Sequence, residues 1–373
     1  MSGKKIDLVI GANYGDEGKG ITVARIAKSN PNEKIANVLT NGGPQRGHSV
    51  SFNNIVHVFH HFGSATPWDA VSFYDRNFII NPMAFKKEYE EIYKKFHIIL
   101  PNAIRDPMCR WTTPFDMMFN QMESQLNWKG TCGMGIWATI CRFKEMWNPT
   151  FDYFCEIMST QQRVEYLCDV RKYFAEKYVW GIPDQYYLAW NSPGTIEHFI
   201  DDCMFMYNHT EKLTTKSLDS FDRIIFENGQ GLELNDDGKD DPERTPSQTG
   251  SNSIFDFSGL IPNYESMNIH YVTRPYVTRH GSKEFKNEQI DGDLKKDEDI
   301  NQYNEWQRDL LYGKLDLSML KNRIMWDKCH WKNSPDISYT IDVTHCDEMD
   351  RKKEFEIMFK KNFNLNFYGD KEV

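Results

Sequence analysis

Short apolar runs recur along the chain, and most of them end at a glycine or a polar turn. Residues 6–10 form a β-branched run that ends at Gly11, which predicts a strand. Residues 21–29 then predict a helix, and residues 35–40 predict a second strand. A strand followed by a glycine-rich turn, a helix and another strand is typical of an open parallel α/β sheet, which binds its ligands at the carboxyl ends of the strands.

The later part of the chain alternates between a helical pattern and further short strands. Residues 84–207 are rich in aromatic residues, methionines and charges at mostly helical spacing, which predicts helices packed against the sheet around a glycine loop at 130–135. Three more strands are predicted at 221–227, 269–273 and 337–343. We therefore predict one α/β domain over 1–373, with a central mostly parallel sheet, a phosphate loop similar to a P-loop and a mostly helical insertion around 84–207.

Polar segments between these elements predict loops. Residues 228–231 predict a glycine turn after the third strand, and residues 235–252 are acidic and punctuated by glycine and proline, which predicts a long functional loop. The charged residues 283–299 predict a solvated loop.

The composition limits the classes of function. The chain has 373 residues, 40% of them hydrophobic, which is enough for a sizeable core. Its net charge of −10 argues against a nucleic-acid polymer as partner, whereas a mononucleotide needs only a local cationic pocket. No apolar run reaches the roughly 18–20 residues of a membrane span, and the N-terminus does not resemble a signal sequence. Eight cysteines without a C-x-x-C pair predict reduced thiols in a cytoplasmic protein.

The first glycine turn, 11–20, has the sequence GANYGDEGKG and lies between the first predicted strand and helix. This is the setting in which backbone N–H groups and a helix N-terminus hold phosphate, although the spacing is not that of a Walker A loop. A generic glycine turn is the alternative for the glycines alone. Asp16, Glu17 and Lys19 favour the phosphate loop, because two carboxylates and an ammonium suit Mg²⁺ binding, proton transfer and charge neutralisation.

The second glycine turn, 41–48, has the sequence NGGPQRGH and follows the second predicted strand. A lone histidine is usually structural or exposed. Because His48 lies one loop away from Asp16, a carboxylate base and an imidazole acid could instead act on one substrate.

Five motifs in order resemble the adenylosuccinate synthetase family. YGDEGKG at 14–20 resembles W-G-D-E-G-K-G, and NGGPQRGH at 41–48 resembles N-G-G-x-N-A-G-H. GTCGMGI at 130–136 resembles G-T-T-G-R-G-I, FENGQG at 226–231 resembles F-E-G-A-Q-G, and YVTRHG at 276–281 resembles Y-x-T-R-V-G. The resemblance extends from residue 6 to about residue 350.

The resemblance implies a ligase that transfers the γ-phosphate of a nucleoside triphosphate to O6 of a purine nucleoside monophosphate. The amine of L-aspartate then displaces that phosphate at C6. It assigns catalysis to Asp16, which takes the N1 proton, to His48, which stabilises or protonates O6, and to Lys19. Mg²⁺ would be held by Asp16 and by the backbone oxygen of Gly47.

The resemblance also assigns binding residues. Nucleotide and phosphate binding are assigned to Gly15, Glu17, Gly18, Gly20, Ile21, Thr344 and Asp347. Substrate binding is assigned to Asn41, Gln45, Arg46, Thr131, Cys132, Gln230, Thr245, Thr249 and Arg142. Family members are usually homodimers in which an arginine reaches the neighbouring site, and Arg142 lies near the corresponding place.

Departures from the family pattern bear on the substrate. Gln45 and Arg46 replace Asn-Ala, and Cys132 replaces a threonine. The segments 57–66 and 244–251 look like those of the phage-type 2-aminoadenylosuccinate synthetases, which accept deoxyguanylate for diaminopurine DNA. The leading hypothesis is therefore dGMP, which is compatible with Asp16 because one carboxylate can accept from N1–H and the 2-amino group of guanine. Many phage-type members have a smaller residue there, so Asp16 also supports the alternative, inosinate.

The phosphoryl donor and the aspartate site also depart from the pattern. THCD at 344–347 stands where the family has T-K-x-D, and the missing lysine favours ATP over GTP. Arg308 falls on the first arginine of the family's aspartate-binding run, and an arginine fork suits a dicarboxylate. A surface salt bridge is the alternative for Arg308. A nucleotide-binding regulator that has lost catalysis is the alternative for the whole chain, and retention of Asp16, Lys19 and His48 argues against it.

Overall fold

The computed structural model describes residues 3–96, 103–127, 131–178, 180–236, 245, 247–254, 257, 264–280, 287–290, 294, 303–304, 308–331 and 336–369. The strands in these ranges are β1 (Lys4–Gly11), β2 (Ile35–Leu39), β3 (His48–Phe52), β4 (Ile55–Phe59), β5 (Val71–Tyr74), β6 (Ala103–Arg105), β7 (Thr210–Lys212), β8 (Arg223–Gly231), β9 (Tyr264–Thr273), β10 (Val277–His280), β11 (Tyr303–Asn304), β12 (Arg308–Gly313), β13 (Ile337–Val343) and β14 (Asn364–Phe367). The helices there are α1 (Lys19–Ser29), α2 (Pro82–Phe96), α3 (Pro114–Asn127), α4 (Ile136–Glu145), α5 (Thr160–Lys177), α6 (Asp184–Asn191), α7 (Pro193–Asn208), α8 (Leu317–Lys328) and α9 (Lys352–Phe359).

A nine-stranded sheet in the order β14-β13-β9-β1-β8-β2-β5-β6-β7 forms the centre of the fold. Each neighbouring pair in it is parallel, which confirms the predicted α/β class with a mostly parallel sheet. The central strand β1 is buried over six consecutive residues, because helices cover both faces of such a sheet. Its Leu8 and Ile10 pack in one core cluster with Phe226 of β8, Ile269 of β9 and Ile341 of β13.

The helical stretch 84–207 forms a second core with the edge strands of the sheet. Trp111, Phe115 and Phe199 are buried there with other aromatic residues of α2 to α7. The stretch is not purely helical, since it contains β6, which pairs with β5 and β7 inside the main sheet. No helix within the described ranges is long and apolar enough to cross a membrane.

The structure corrects the prediction of a glycine turn at 228–231. Strand β8 continues to Gly231, which pairs with Gly11 after a register shift. The polar residue Asn228 stays in the strand because loops at this edge supply partners: it accepts from Thr40 Oγ1 and donates to the carbonyls of Thr249 and Gly250. The charged stretch 283–299 lies mostly outside the described residues, so that loop prediction is not tested.

Three of the five motifs, together with the segment that begins at Thr344, reach the same edge of the main sheet. The loops 11–20 and 41–48 follow β1 and β2, the residues 227–231 end β8, and Thr344 directly follows β13. Because these strands are parallel and adjacent, their carboxyl ends meet on one side.

Candidate active site

The phosphate loop leads directly from β1 into α1. Helix α1 begins at Lys19, and its N-cap is Gly18, with a left-handed φ of 89° and no side-chain cap. The N–H groups of the first helical turn therefore lack a side-chain cap and are available to an anion. Lys19 is 3% exposed and its Nζ lies 3.3 Å from Glu17 Oε2. Ile21 is buried in the same turn, so its side chain contributes packing to the loop.

Glu17 shapes this loop from the inside. Its Oε1 accepts hydrogen bonds from the backbone N–H groups of Asn13 (2.9 Å) and Gly15 (2.8 Å). Burial raises the pKa of Glu17 above its usual range, and the Lys19 ammonium acts in the opposite direction. The Glu17 carboxylate pairs with the loop backbone and with Lys19, and a contact of Glu17 with nucleotide or phosphate stays a prediction.

Asp16 differs from Glu17 in facing out of the loop. Its side chain is 24% exposed, and its backbone carbonyl accepts a 2.7 Å hydrogen bond from Arg274 Nε. No group of three or more His, Cys, Asp or Glu side chains suited to a metal occurs in the described part of the chain. Mg²⁺ is usually bound through one or two carboxylates together with substrate phosphates, so a single outward carboxylate fits it.

His48 is held by a carboxylate that the sequence analysis missed. Its Nδ1 hydrogen-bonds to Glu227 Oε1, and Glu227 also accepts from Ser64 N (3.0 Å) and Ser64 Oγ (2.5 Å). Burial lowers the pKa of His48 to about 4. Burial alone would raise the pKa of Glu227, but the His48 hydrogen bond and the nearby charges lower it to about 2. At neutral pH a Glu227 carboxylate thus accepts from Nδ1–H of a neutral His48, whose Nε2 is an acceptor.

The first turn of α1 packs directly against His48. A Cβ at Gly20 would lie 2.9 Å from His48 Cβ and 3.1 Å from Ser64 Oγ. Glycine is therefore required where a Walker A loop has a hydroxyl residue, because a side chain there would move the imidazole. The phosphate loop and His48 form one rigid unit.

Replacing Gly20 with alanine is expected to lower kcat by up to about 100-fold, since a shift of roughly 1 Å in a catalytic group has that effect. Steady-state kinetics should be paired with a thermal unfolding measurement. Gly194→Ala is the matched control, because a Cβ there meets nothing closer than 3.4 Å. A Gly20→Ala protein with the kcat of the control would mean that His48 tolerates displacement.

Asn41 and Arg46 tie the second glycine loop to β8. Asn41 Oδ1 accepts from Gly229 N (2.7 Å), and its Nδ2 donates to Gly229 O (3.2 Å). Arg46 is 5% exposed and donates to the carbonyls of Glu227 (3.0 Å) and Asn41 (2.8 Å). Burial lowers the pKa of Arg46 to about 10. Both side chains join the loops, while Arg46 Nε is buried without a partner among the described residues, and substrate binding by Asn41 and Arg46 stays a prediction.

Two glutamines at the same edge carry unsatisfied acceptors. Oε1 of Gln45 and Oε1 of Gln230 are buried, and neither has a hydrogen-bond partner in the described part of the chain. Gln230 also has a left-handed φ of 61°, which is uncommon for a residue other than glycine. Buried polar atoms are nearly always paired, so these oxygens fit the donors of a ligand.

The predicted threonines are divided between two loops. Thr131 Oγ1 hydrogen-bonds with Ser124 Oγ (2.7 Å) and Asn120 Oδ1 (3.2 Å). Helix α4, which follows this loop, contacts the second glycine loop, since a Cβ at Gly43 would lie 2.7 Å from Ile136 Cδ1. Thr249 is fully buried, and its hydroxyl donates to Gly231 O (2.9 Å). The hydroxyl of Thr249 therefore donates inside the protein, and its predicted contact with substrate stays a prediction.

Three other predicted residues lie near these loops. Cys132 lies beside Thr131, and burial raises its pKa to about 11, so it is a neutral thiol. Thr245 is 7% exposed and its hydroxyl lies 3.4 Å from Ser247 Oγ, which also accepts from Asn41 Nδ2. Gly47 lies between Arg46 and His48, and metal binding by its carbonyl stays a prediction.

Arg142 has the largest number of internal hydrogen bonds among the predicted ligands that the structure describes. It is fully buried, and its guanidinium donates to both carboxylate oxygens of Asp116, to the Tyr166 hydroxyl at 2.7 Å, to the Trp111 carbonyl at 2.7 Å and to Asn148. These bonds use its donors. In this arrangement Arg142 stabilises the interior beside α3 and α4, and a contact with substrate stays a prediction.

The residues after β13 close the back of the phosphate loop. Thr344 Oγ1 donates to Glu17 O at 2.6 Å, and a Cβ at Gly18 would lie 2.9 Å from Thr344 Cγ2. Asp347 is exposed three residues further on. Arg308 begins β12, but its side chain lies outside the described part of the structure.

A family model described as adenylosuccinate synthetase matches residues 8–358. The chain belongs to the adenylosuccinate synthetase family. The adenylosuccinate synthetase of Flavobacterium johnsoniae is 26% identical over 300 residues, covering 77% of this chain and 67% of the relative. That of Dichelobacter nodosus is 26% identical over 313 residues, covering 77% and 66%. The chain thus matches about two thirds of the length of these relatives.

Two solved structures share the fold. The fully ligated adenylosuccinate synthetase of Plasmodium falciparum has a TM-score of 0.70 at 16% identity, with 93% of this chain and 78% of that chain covered. The succinoaminodeoxyadenylate synthetase of cyanophage S-2L, bound to dGMP and dATP, has a TM-score of 0.62 at 8% identity, with 98% and 93% covered. The family is one of carbon–nitrogen ligases, so membership confirms the predicted class of enzyme.

Proposed function

We propose that the chain joins L-aspartate to C6 of dGMP through a 6-phosphoryl intermediate, using ATP and Mg²⁺. The observation that carries the proposal is the junction of an uncapped, lysine-bearing phosphate loop with the Glu227–His48 pair, since Gly20 of that loop packs on His48. A site that binds phosphate beside an activated imidazole is suited to phosphoryl transfer to a purine oxygen.

Each charged residue has a separate role in this proposal. Lys19 and the N–H groups of α1 neutralise the transferred phosphoryl group, so catalysis is mostly positioning and electrostatic stabilisation. Asp16 accepts the N1 proton of the purine. His48, which takes up a proton at Nε2 from solvent as the nucleotide phosphates bind beside it, donates that N–H to O6, where negative charge develops. The Glu227 carboxylate stabilises that imidazolium, as the buried aspartate does in a serine-protease triad. Mg²⁺, held by Asp16 and the nucleotide phosphates, would supply further charge neutralisation.

The acceptors of the site support guanine as the base. Guanine presents N1–H and a 2-amino group, whereas hypoxanthine presents only N1–H on that edge. The Asp16 carboxylate and the unpartnered oxygens of Gln45 and Gln230 provide more acceptors than hypoxanthine needs. The fold shared with the cyanophage enzyme, which was solved with dGMP and dATP, supports the same substrate and an adenine donor.

Inosinate with GTP is the second candidate. The bacterial relatives that match most of this chain are adenylosuccinate synthetases, and Asp16 is retained as in their pattern. The donor preference rests on 344–347, where His345 replaces the lysine expected beside a guanine ring. The aspartate site at Arg308 and the homodimer are further proposals from the family resemblance.

The deciding experiment measures phosphate release and product mass with L-aspartate, Mg²⁺ and each pair of dGMP, GMP or IMP with ATP or GTP. The expected result is aspartate-dependent formation of the succinylated dGMP product with ATP. Turnover only with IMP and GTP would establish the second candidate. If the chain binds nucleotides but turns over none of these pairs, the alternative of a nucleotide-binding regulator without catalysis would be favoured.

A further inference from the structure

The segment 274–280, which follows β9 and includes β10, contacts the phosphate loop at three points. Arg274 Nε donates to Asp16 O at 2.7 Å, and the Arg279 guanidinium lies 4.6 Å from the centroid of the Tyr14 ring. His280 Nε2 lies 3.8 Å from Asp16 Oδ2. The backbone and the side chain of Asp16 are therefore both approached by one segment of the chain.

The Nε2 atom of His280 faces Asp16, while the Nδ1 atom of the same imidazole is buried away from solvent. The side chain is 15% exposed, and Nδ1 is buried without a hydrogen-bond partner in the ranges that the structure describes. The tautomer with its proton on Nε2 suits this arrangement, since only Nε2 faces an acceptor. A small rotation then brings that N–H within hydrogen-bond distance of Asp16.

We propose that His280 is a positioning residue that holds one oxygen of the Asp16 carboxylate, so that the other oxygen faces the purine N1–H. This inference rests on the proposed function and adds a residue to it. The matching motif quoted above has valine at this place, so the imidazole is a feature of this chain. A carboxylate held at one oxygen loses rotational freedom, and pre-organisation of this kind strengthens proton transfer in the transition state.

The strand that carries His280 is itself held firmly. In the antiparallel pair of β10 and β12, Arg279 lies opposite Leu311 and His280 lies opposite Leu310. Arg308, the predicted aspartate ligand, begins the same β12 strand. A contact from His280 to Asp16 therefore joins the acid that acts in the first step to the strand proposed to bind the second substrate.

The test compares His280→Val with His198→Val, which makes the same substitution at an exposed histidine of α7. The control should change neither kcat nor KM. His280→Val should lower kcat by about 10-fold to 100-fold, the usual effect of removing a group that orients a catalytic ligand. KM for ATP should stay within about twofold of the wild-type value. His280→Gln should recover part of the lost kcat, because the glutamine amide can donate to Asp16.

A calorimetric cycle separates positioning from a general structural effect. The affinity for dGMP is measured in wild type, His280→Val, Asp16→Asn and the double variant. If His280 acts through Asp16, its replacement weakens dGMP binding only when Asp16 is present. An equal loss in both backgrounds would overturn the positioning role.

The possible failures are distinguishable. Wild-type kcat in His280→Val overturns the role of His280 and leaves the ligase proposal intact. Absence of turnover in the wild type overturns the ligase proposal, and the calorimetric cycle then decides the role of His280 alone. A chain that binds no purine nucleoside monophosphate overturns both.

Discussion

Replacing Asp16 with asparagine is expected to reduce kcat by about 100-fold to 10,000-fold, the range that a general base contributes. Asparagine keeps the size and the hydrogen-bonding oxygen of the side chain, but it cannot take the purine N1 proton and offers no charge to Mg²⁺. Because Asp16 is the loop carboxylate that faces outward, while Glu17 is turned into the loop, Glu17 cannot substitute for it. Binding of dGMP should remain measurable by calorimetry.

Asp69→Asn is the matched control for this variant. Asp69 is exposed, and it lies just before the amino end of β5, away from the carboxyl edge that carries the site. Its left-handed φ of 60° is also tolerated by asparagine. Single-turnover measurements should place the loss of Asp16→Asn in the phosphoryl-transfer step. Unaltered turnover in Asp16→Asn would remove Asp16 from the mechanism.

The hydrophobic pattern was sufficient to predict the strands at the centre of the sheet. Strands β1, β2 and β13 are rich in apolar and β-branched residues, because parallel strands covered on both faces bury most of their side chains. The short strands β6 and β7 at one end of the sheet, of three residues each, lack such a signal. They are held by pairing with neighbours that are distant in sequence, and this pairing is not visible in local periodicity.

The motifs predicted which loops meet at the site, but not which way each side chain points. Glu17 and Arg142 were predicted to bind ligands, yet one supports the loop backbone and the other is enclosed with Asp116. A motif match fixes a position along the chain, while orientation depends on partners from distant segments. Glu227 was missed for the same reason, although an acid within the apolar run of Ile224, Ile225 and Phe226 was an available signal.

A second large effect is expected away from the site, at His270 in the middle of the sheet. His270 on β9 lies between Asp342 of β13 (Nδ1 to Oδ2, 2.7 Å) and Asp7 of β1 (Nε2 to Oδ1, 3.2 Å). Burial alone would lower its pKa, but these two carboxylates raise the pKa of His270 to about 10. Burial alone would raise the pKa of Asp7 and of Asp342, but the hydrogen bonds and the charge of His270 help to hold both pKa values below the usual range. His270 is therefore a buried cation that compensates two buried anions.

His270→Gln should destabilise the fold by about 3–5 kcal/mol, because removing one member of a buried ionic group leaves the other charges uncompensated. Urea denaturation at pH 7 gives the free energy of unfolding, with the exposed His198→Gln as the matched control. The folded-state pKa of His270, about 10, lies above the ordinary histidine value of 6.5, so its contribution is complete below pH 6.5 and is lost as pH rises towards 10. The stability difference between wild type and His270→Gln should accordingly shrink across that interval. A constant difference from pH 6.5 to 10 would contradict the assignment of a buried imidazolium.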